Sequence, residues 1–313
     1  MNIKSFFANI GKLLLCGVIF SAGLVIGGMV VGSLGLQQPS MPEGMDAQST
    51  MLLMLLESPL LALVLALLAR HLAGGFRARA LMLFFLAWIS NSVNNQIEAS
   101  VFAGMAQGFL FTTLTLLMPA FFMGMAVAWL FPPAGKRTFA DAARSFFGRH
   151  ELSGWIWRLA LGTVVFMPVY YAFGLIVIPF TRSYYEQGLY QLEIPALDKL
   201  LFVLFIRSLL FFLAVLPLLI AWQGSRWSLA WRLGLALFYL VGFQSLLIAN
   251  WMPWALRLPH MIEILLDELV YAGALAWLFG SAKTPFEMRT GTRTSDSGAD
   301  TSHPADNSAV VHS

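Results

Sequence analysis

Apolar runs of membrane-crossing length recur along this chain, and no other feature limits its fold as severely. A bilayer core takes about 20 apolar residues per helical crossing. Inside lipid the backbone must satisfy its own N–H and C=O groups, which a helix does within one segment. On that ruler, spans fall near 13–36, 51–69, 80–103, 108–131, 157–180, 199–222, 229–249 and 259–280. The expected fold class is all-α: a polytopic integral membrane bundle of about eight transmembrane helices, one domain over residues 1–283. Charge supports this, because only 11% of the 313 residues are charged, against roughly 25% in a soluble domain. A chain so poor in charge cannot coat a water-facing surface of its own size.

The basic residues sort by loop. Lys4 and Lys12 precede span one, Arg70, Arg77 and Arg79 follow span two, and Lys136, Arg137, Arg144, Arg149 and Arg158 follow span four. Arg226 and Arg232 flank the start of span seven, and Lys283, Arg289 and Arg293 follow span eight. The alternate loops hold only Arg182, Lys199 and Arg257. Under the positive-inside rule this predicts both ends in the cytoplasm and a place in the cytoplasmic membrane. It also accounts for the net charge of +3 without a nucleic-acid partner. The run Leu13–Leu36 behind Lys4 and Lys12 is too long for a cleaved signal and reads as a retained signal anchor. The single cysteine, Cys16, excludes an intrachain disulfide. Residues 138–148 read as a short amphipathic helix on the inner face, with Phe139, Phe146 and Phe147 toward lipid. The tail, 284–313, is polar and expected to be disordered in the cytoplasm, with His303 and His312 inert. Inspection finds no internal repeat.

Ionisable and amide side chains inside a span cost several kcal/mol unless they face protein or water, so they mark candidate sites. Glu57 lies in span two, roughly 9 Å below the outer boundary at a 1.5 Å rise per residue. Span three carries Asn91, Asn94, Asn95 and Glu98, spaced to project from one helical face. Span six holds Arg207. Span eight holds His260, Glu263 and Asp267 in one stripe, with Tyr271 a turn deeper and Glu268 about a quarter-turn off it. Under the predicted topology these groups occupy the outer half of the membrane, and the inner halves of the same helices are apolar. The pattern points to one pocket opening outward. Each group also has a structural reading: the asparagines as interhelical glue, Arg207 as the ion-pair partner of Glu57 or Glu98. In span one, the Gly23–Gly27 and Gly28–Gly32 spacings fit close helix packing, and Pro119, Pro168 and Pro217 fit kinks.

As catalytic candidates, Glu98, His260, Glu263 and Glu57 supply carboxylates and an imidazole for general acid–base work. Arg207, Asn91, Asn94, Asn95 and Asp267 are candidate substrate-binding groups, with Arg207 suited to an anionic head group. His260, Glu263, Glu98 and Glu57 together offer one nitrogen and several oxygens, a set that could hold a divalent metal. The paired glutamates and two histidines that mark the glutamate-dependent prenyl-protein proteases are missing. No phosphate loop, dinucleotide fingerprint or paired-cysteine motif appears, so no nucleotide or haem is expected. Three functions fit: a membrane-embedded hydrolase or transferase acting on a lipid-linked or membrane-peptide substrate, an ion-coupled transporter or permease, or a structural or assembly protein. The sequence leaves the substrate, the reaction and the oligomeric state open.

Overall fold

A computed structural model describes residues 3–39, 44–102 and 108–280; the expected disordered tail and its two histidines lie outside the described residues. Apart from one isolated β-bridge, no strand forms among the described residues. In chain order the α-helices are α1 (Ile3–Ser33), α2 (Ala47–Ala69), α3 (Phe76–Ala87), α4 (Asn94–Phe102), α5 (Phe109–Thr115), α6 (Leu117–Leu130), α7 (Phe139–Phe147), α8 (Leu152–Val164), α9 (Phe166–Glu186), α10 (Leu197–Ala221), α11 (Arg226–Phe238), α12 (Gln244–Ile248) and α13 (Trp254–Phe279). Wider π-turns, Trp88–Val93 and Tyr239–Phe243, join α3 to α4 and α11 to α12.

Among the described residues six helical stretches are long and apolar enough to cross a membrane: α1, α2, α5–α6, α8–α9, α10 and α11–α12. The chain is a multi-pass helical membrane protein. Two expected spans stand outside that set for a reason visible in their sequences. The rod Phe76–Phe102 carries Ser90, Asn91, Ser92, Asn94, Asn95, Gln96 and Glu98, and α13 carries Arg257, His260, Glu263, Asp267 and Glu268.

Prolines set two of the breaks. Pro119 has no N–H for the Thr115 carbonyl, and α5 gives way to α6 at Leu116. The freed carbonyl lies where a side chain on Gly27 would begin, and a Cβ on Gly23 would stand 2.6 Å from the Pro119 Cα. Gly23 and Gly27 therefore let α1 lie against α6 backbone to backbone. Gly28 and Gly32 face open space, so that half of the expected packing motif makes no helix contact. Pro168 breaks the next rod at Val165, and the Thr163 carbonyl there accepts the Ser208 hydroxyl. Pro217 leaves α10 unbroken. One expectation is corrected at α7. Phe146 does not turn to lipid; it is fully buried, its ring 4.7 Å from that of Trp155 and 6.2 Å from that of Phe279.

A repeat that inspection of the sequence misses is plain in the structure. Helices α2, α3 and α4 begin at Ala47, Phe76 and Asn94; α10, α11 and α12 begin at Leu197, Arg226 and Gln244, each 150 positions later. The two π-turns fall at matching places. Where the halves meet, Leu72 and Trp222 form the antiparallel bridge, with Ala73 N–H donating to Ala221 O at 2.7 Å and Gln223 N–H donating to His71 O at 2.8 Å. Each bond is the other's image under exchange of the halves. A near-twofold axis runs through this bridge. Around it α6 packs on α3 as α13 packs on α11, and α1 packs on α6 as α9 packs on α13. At the axis His71 stacks on Trp222, ring centroids 5.0 Å apart. Burial, with Arg232 nearby, holds its imidazole below the ordinary histidine pKa.

Candidate functional site

The polar residues of the helices gather in two places. The first surrounds a cavity of about 410 Å³ between α9, α10 and α13, at the end of the bundle where residues 193–195 lie. Its wall is mostly apolar, and Leu175, Ile178, Ile194 and Leu197 rim it as exposed side chains. The mouth of the cavity between α9 and α10 is thus bordered by exposed apolar side chains.

Two residues of the α13 stripe line this cavity. His260 Nδ1 lies 2.7 Å from Glu263 Oε2, a pairing the i, i+3 spacing on one helix allows. Glu263 reaches the cavity across Gly174, where an added Cβ would stand 3.4 Å from its Oε1. The other imidazole nitrogen, Nε2, is 3.5 Å from the Tyr185 hydroxyl, at the long limit of a hydrogen bond. A carboxylate on Nδ1 favours the arrangement with a proton there and turns Nε2 to the Tyr185 hydroxyl.

Glu98 and Arg207 stand behind the wall. Tyr170, which lines the cavity, donates its hydroxyl to Glu98 Oε1 at 2.8 Å. Arg207 Nη2 donates to Glu98 Oε2 at 2.7 Å. The guanidinium is fully buried, and the rings of Tyr170, Phe166 and Phe211 lie 5.2, 5.7 and 5.9 Å from it. That aromatic shell suits a planar, weakly hydrated cation. Its Nε and Nη1 have no partner among the described residues. Below His260 and Glu263 on α13, Asp267, Glu268 and Tyr271 are all buried.

The second cluster surrounds Glu57, which does not line the cavity. Glu57 Oε1 accepts from Gln244 Nε2, and the Tyr239 hydroxyl donates to the Glu57 carbonyl at 2.8 Å. The four polar residues expected on one face of span three divide between two directions. Asn91 and Asn95 donate to the Leu240 carbonyl in the second π-turn, at 2.8 and 3.1 Å, and Asn91 also donates to Gln244 Oε1 at 2.7 Å. Asn94 and Glu98 turn to Arg207, Asn94 donating to its carbonyl at 3.3 Å. The π-turn at Trp88–Val93 adds a residue to the helical turn, which rotates α4 relative to the continuation of an ideal 3.6-residue helix. The asparagine amides are thereby engaged in bonds between helices.

Among the described residues no three His, Cys, Asp or Glu side chains come together as a metal-holding group. The four residues considered for a metal are divided: His260 bonds to Glu263, Glu98 to Arg207, and Glu57 to Gln244. Tyr170, Tyr185, Gln244 and Tyr239 escape a reading of the sequence, because an uncharged tyrosine or glutamine is equally at home in packing or at a membrane interface, and no spacing ties these four to the carboxylates they meet. Comparison with protein-family models, with curated proteins and with solved structures finds no match to this chain.

Proposed function

We propose that the chain is a membrane-embedded hydrolase or transferase that takes a lipid-linked or membrane-peptide substrate from the outer leaflet, with His260 and Glu263 as its acid–base pair. The observation that carries this reading is the 2.7 Å His260–Glu263 bond at the surface of an otherwise apolar cavity of about 410 Å³. In this reading the chain crosses the cytoplasmic membrane eight times with both ends inside. The cavity then opens at the depth of head groups and upper acyl chains, and the gap between α9 and α10 admits a substrate from the side.

The chemistry rests on the dyad. Glu263 accepts a hydrogen bond from Nδ1–H and stabilises the imidazolium that forms when Nε2 takes a proton from a water or an acceptor hydroxyl. The imidazolium then returns that proton to the leaving group, and the Tyr185 hydroxyl supplies a hydrogen bond beside it. Arg207, sealed behind Tyr170, orients Glu98 and the wall without touching substrate.

A second reading has its own support. Parallel repeats about an axis along the membrane normal also build transporters, and eight crossings with both ends inside would give the two halves that relation. The test separates them. Purified protein in nanodiscs of native membrane lipid is incubated with lipid-linked and membrane-peptide pools, and products are followed by mass spectrometry. A product formed by the wild type and reduced at least about 100-fold in His260→Ala and Glu263→Gln is the expected result, in line with the contribution of a general base. Flux of unaltered solute across sealed proteoliposomes, with no chemical product, would replace the enzyme by a permease.

A further inference from the structure

Three carboxyl groups share one guanidinium in the interior of this bundle, and that imbalance has a consequence. Arg207 is neutralised by its bond to Glu98 at 2.7 Å. Asp267 and Glu268 sit on the adjoining α13, 2% and 0% exposed, and within electrostatic reach of Arg207 and Glu98. Neither oxygen of Glu268 has a partner among the described residues, nor has Asp267 Oδ1 or the Tyr271 hydroxyl. The two cannot serve one another, since neighbours in a helix point about 100° apart.

Among the described residues the surrounding elements add no cation beyond Arg207. Helix α9 presents Phe166 and Tyr170, α10 presents Arg207 and Phe211, and the π-turn after α11 sets Gly242 against Ile264 of α13. The arginines of α8, α11 and α13 are held elsewhere: Arg158 donates to the Gly154 carbonyl, Arg232 to that of Ser228 and Arg257 to those of Leu246 and Leu247, and Arg226 stands beside Gly280 past the far end of α13. On α13 itself, His260 is already paired with Glu263. An ionised carboxylate left without a counter-charge in such a shell is expensive, whereas a neutral acid costs far less.

The repeat supplies an internal control. The stretch that holds the place of α13 in the first half, Phe109–Leu130, contains no charged residue. The same architecture is therefore built without carboxylates, and those of α13 are not required by packing.

We infer that Asp267 and Glu268 form a proton-binding site, reached from the cavity through His260 and Glu263. A proton from the outer water passes to the dyad and then one turn down the stripe to Asp267, which becomes a neutral acid. This site stands apart from the reading of the cavity as a substrate pocket and would serve either catalysis or coupled transport.

Infrared spectroscopy of the full-length protein in nanodiscs at neutral pH tests it, reading the C=O stretch of protonated carboxylic acids. Asp267 is the only buried aspartate among the described residues, so side-chain 13C-aspartate labelling of the wild type reports on it without any substitution. The expected result is an acid band that shifts in part with this label, moves in D2O, and loses a further component in Glu268→Gln. Glu186→Gln, which alters an exposed carboxylate paired with Arg182, should leave the band whole. An absent acid band, no shift with labelled aspartate, or an unaltered band in Glu268→Gln overturns the proposal. Each of those results would leave the product assay for the cavity untouched.

Discussion

At the scale of single residues, the governing quantity is the cost of charge in a medium without water. Arg207 and Glu98 offset one another, and each is costly alone. Arg207→Met should leave Glu98 without its cation and lower stability by about 3 kcal/mol, the lower end for breaking a buried pair. Glu98→Gln should also destabilise, by less, because 28% of the Glu98 side chain is exposed. The double variant should be more stable than Arg207→Met, since neither uncompensated charge remains. Denaturation of the three proteins in one detergent measures this, and strictly additive losses would show that the two groups do not act as a pair. The residues of this pair are legible in the sequence as polar atoms in apolar runs. Their partners are not. Helical spacing places Glu98 on a stripe, but whether it meets Arg207 or Glu57 depends on which helices adjoin, and on a π-turn that no spacing rule reveals.

Elements are joined here through what they lack. Pro119 lacks an N–H, so the Thr115 carbonyl is free; Gly27 lacks a side chain, so α1 can lie on that carbonyl. Leucine at Gly23 or Gly27 must push α1 off α6, at a cost of at least about 1–3 kcal/mol for overpacking. The same change at Gly28 or Gly32, which face open space, should leave the melting temperature within error. Equal effects at all four positions would refute backbone-to-backbone packing of α1 on α6. Both glycine pairs have the same spacing, and sequence alone gives no ground for preferring one. The break before Pro119 settles which face is used, because only one of them meets the freed carbonyl.

The whole molecule is two related halves joined at Leu72 and Trp222, each beginning its second long helix 150 positions from the other. Few residues coincide at that interval, Ser58 with Ser208 and Gly74 with Gly224 among them, so the relation is one of backbone geometry and not of side chains. Only the apolar runs and their basic flanks are legible at this scale. If each half crosses four times, both ends share a side. A cysteine at Tyr190, in a background with Cys16 replaced by alanine, should then react with an impermeant maleimide added to intact cells, and one at Trp227 only after the membrane is opened. The reverse labelling pattern would invert the molecule. The gap between α9 and α10 bears on how such a protein would be encountered at all. In the proposed reading a guest entering there never leaves the bilayer, so the rate of encounter is set by its mole fraction among lipids and by lateral diffusion. Diluting the suspension of vesicles would change nothing, whereas adding inert lipid to each vesicle would slow the process in proportion.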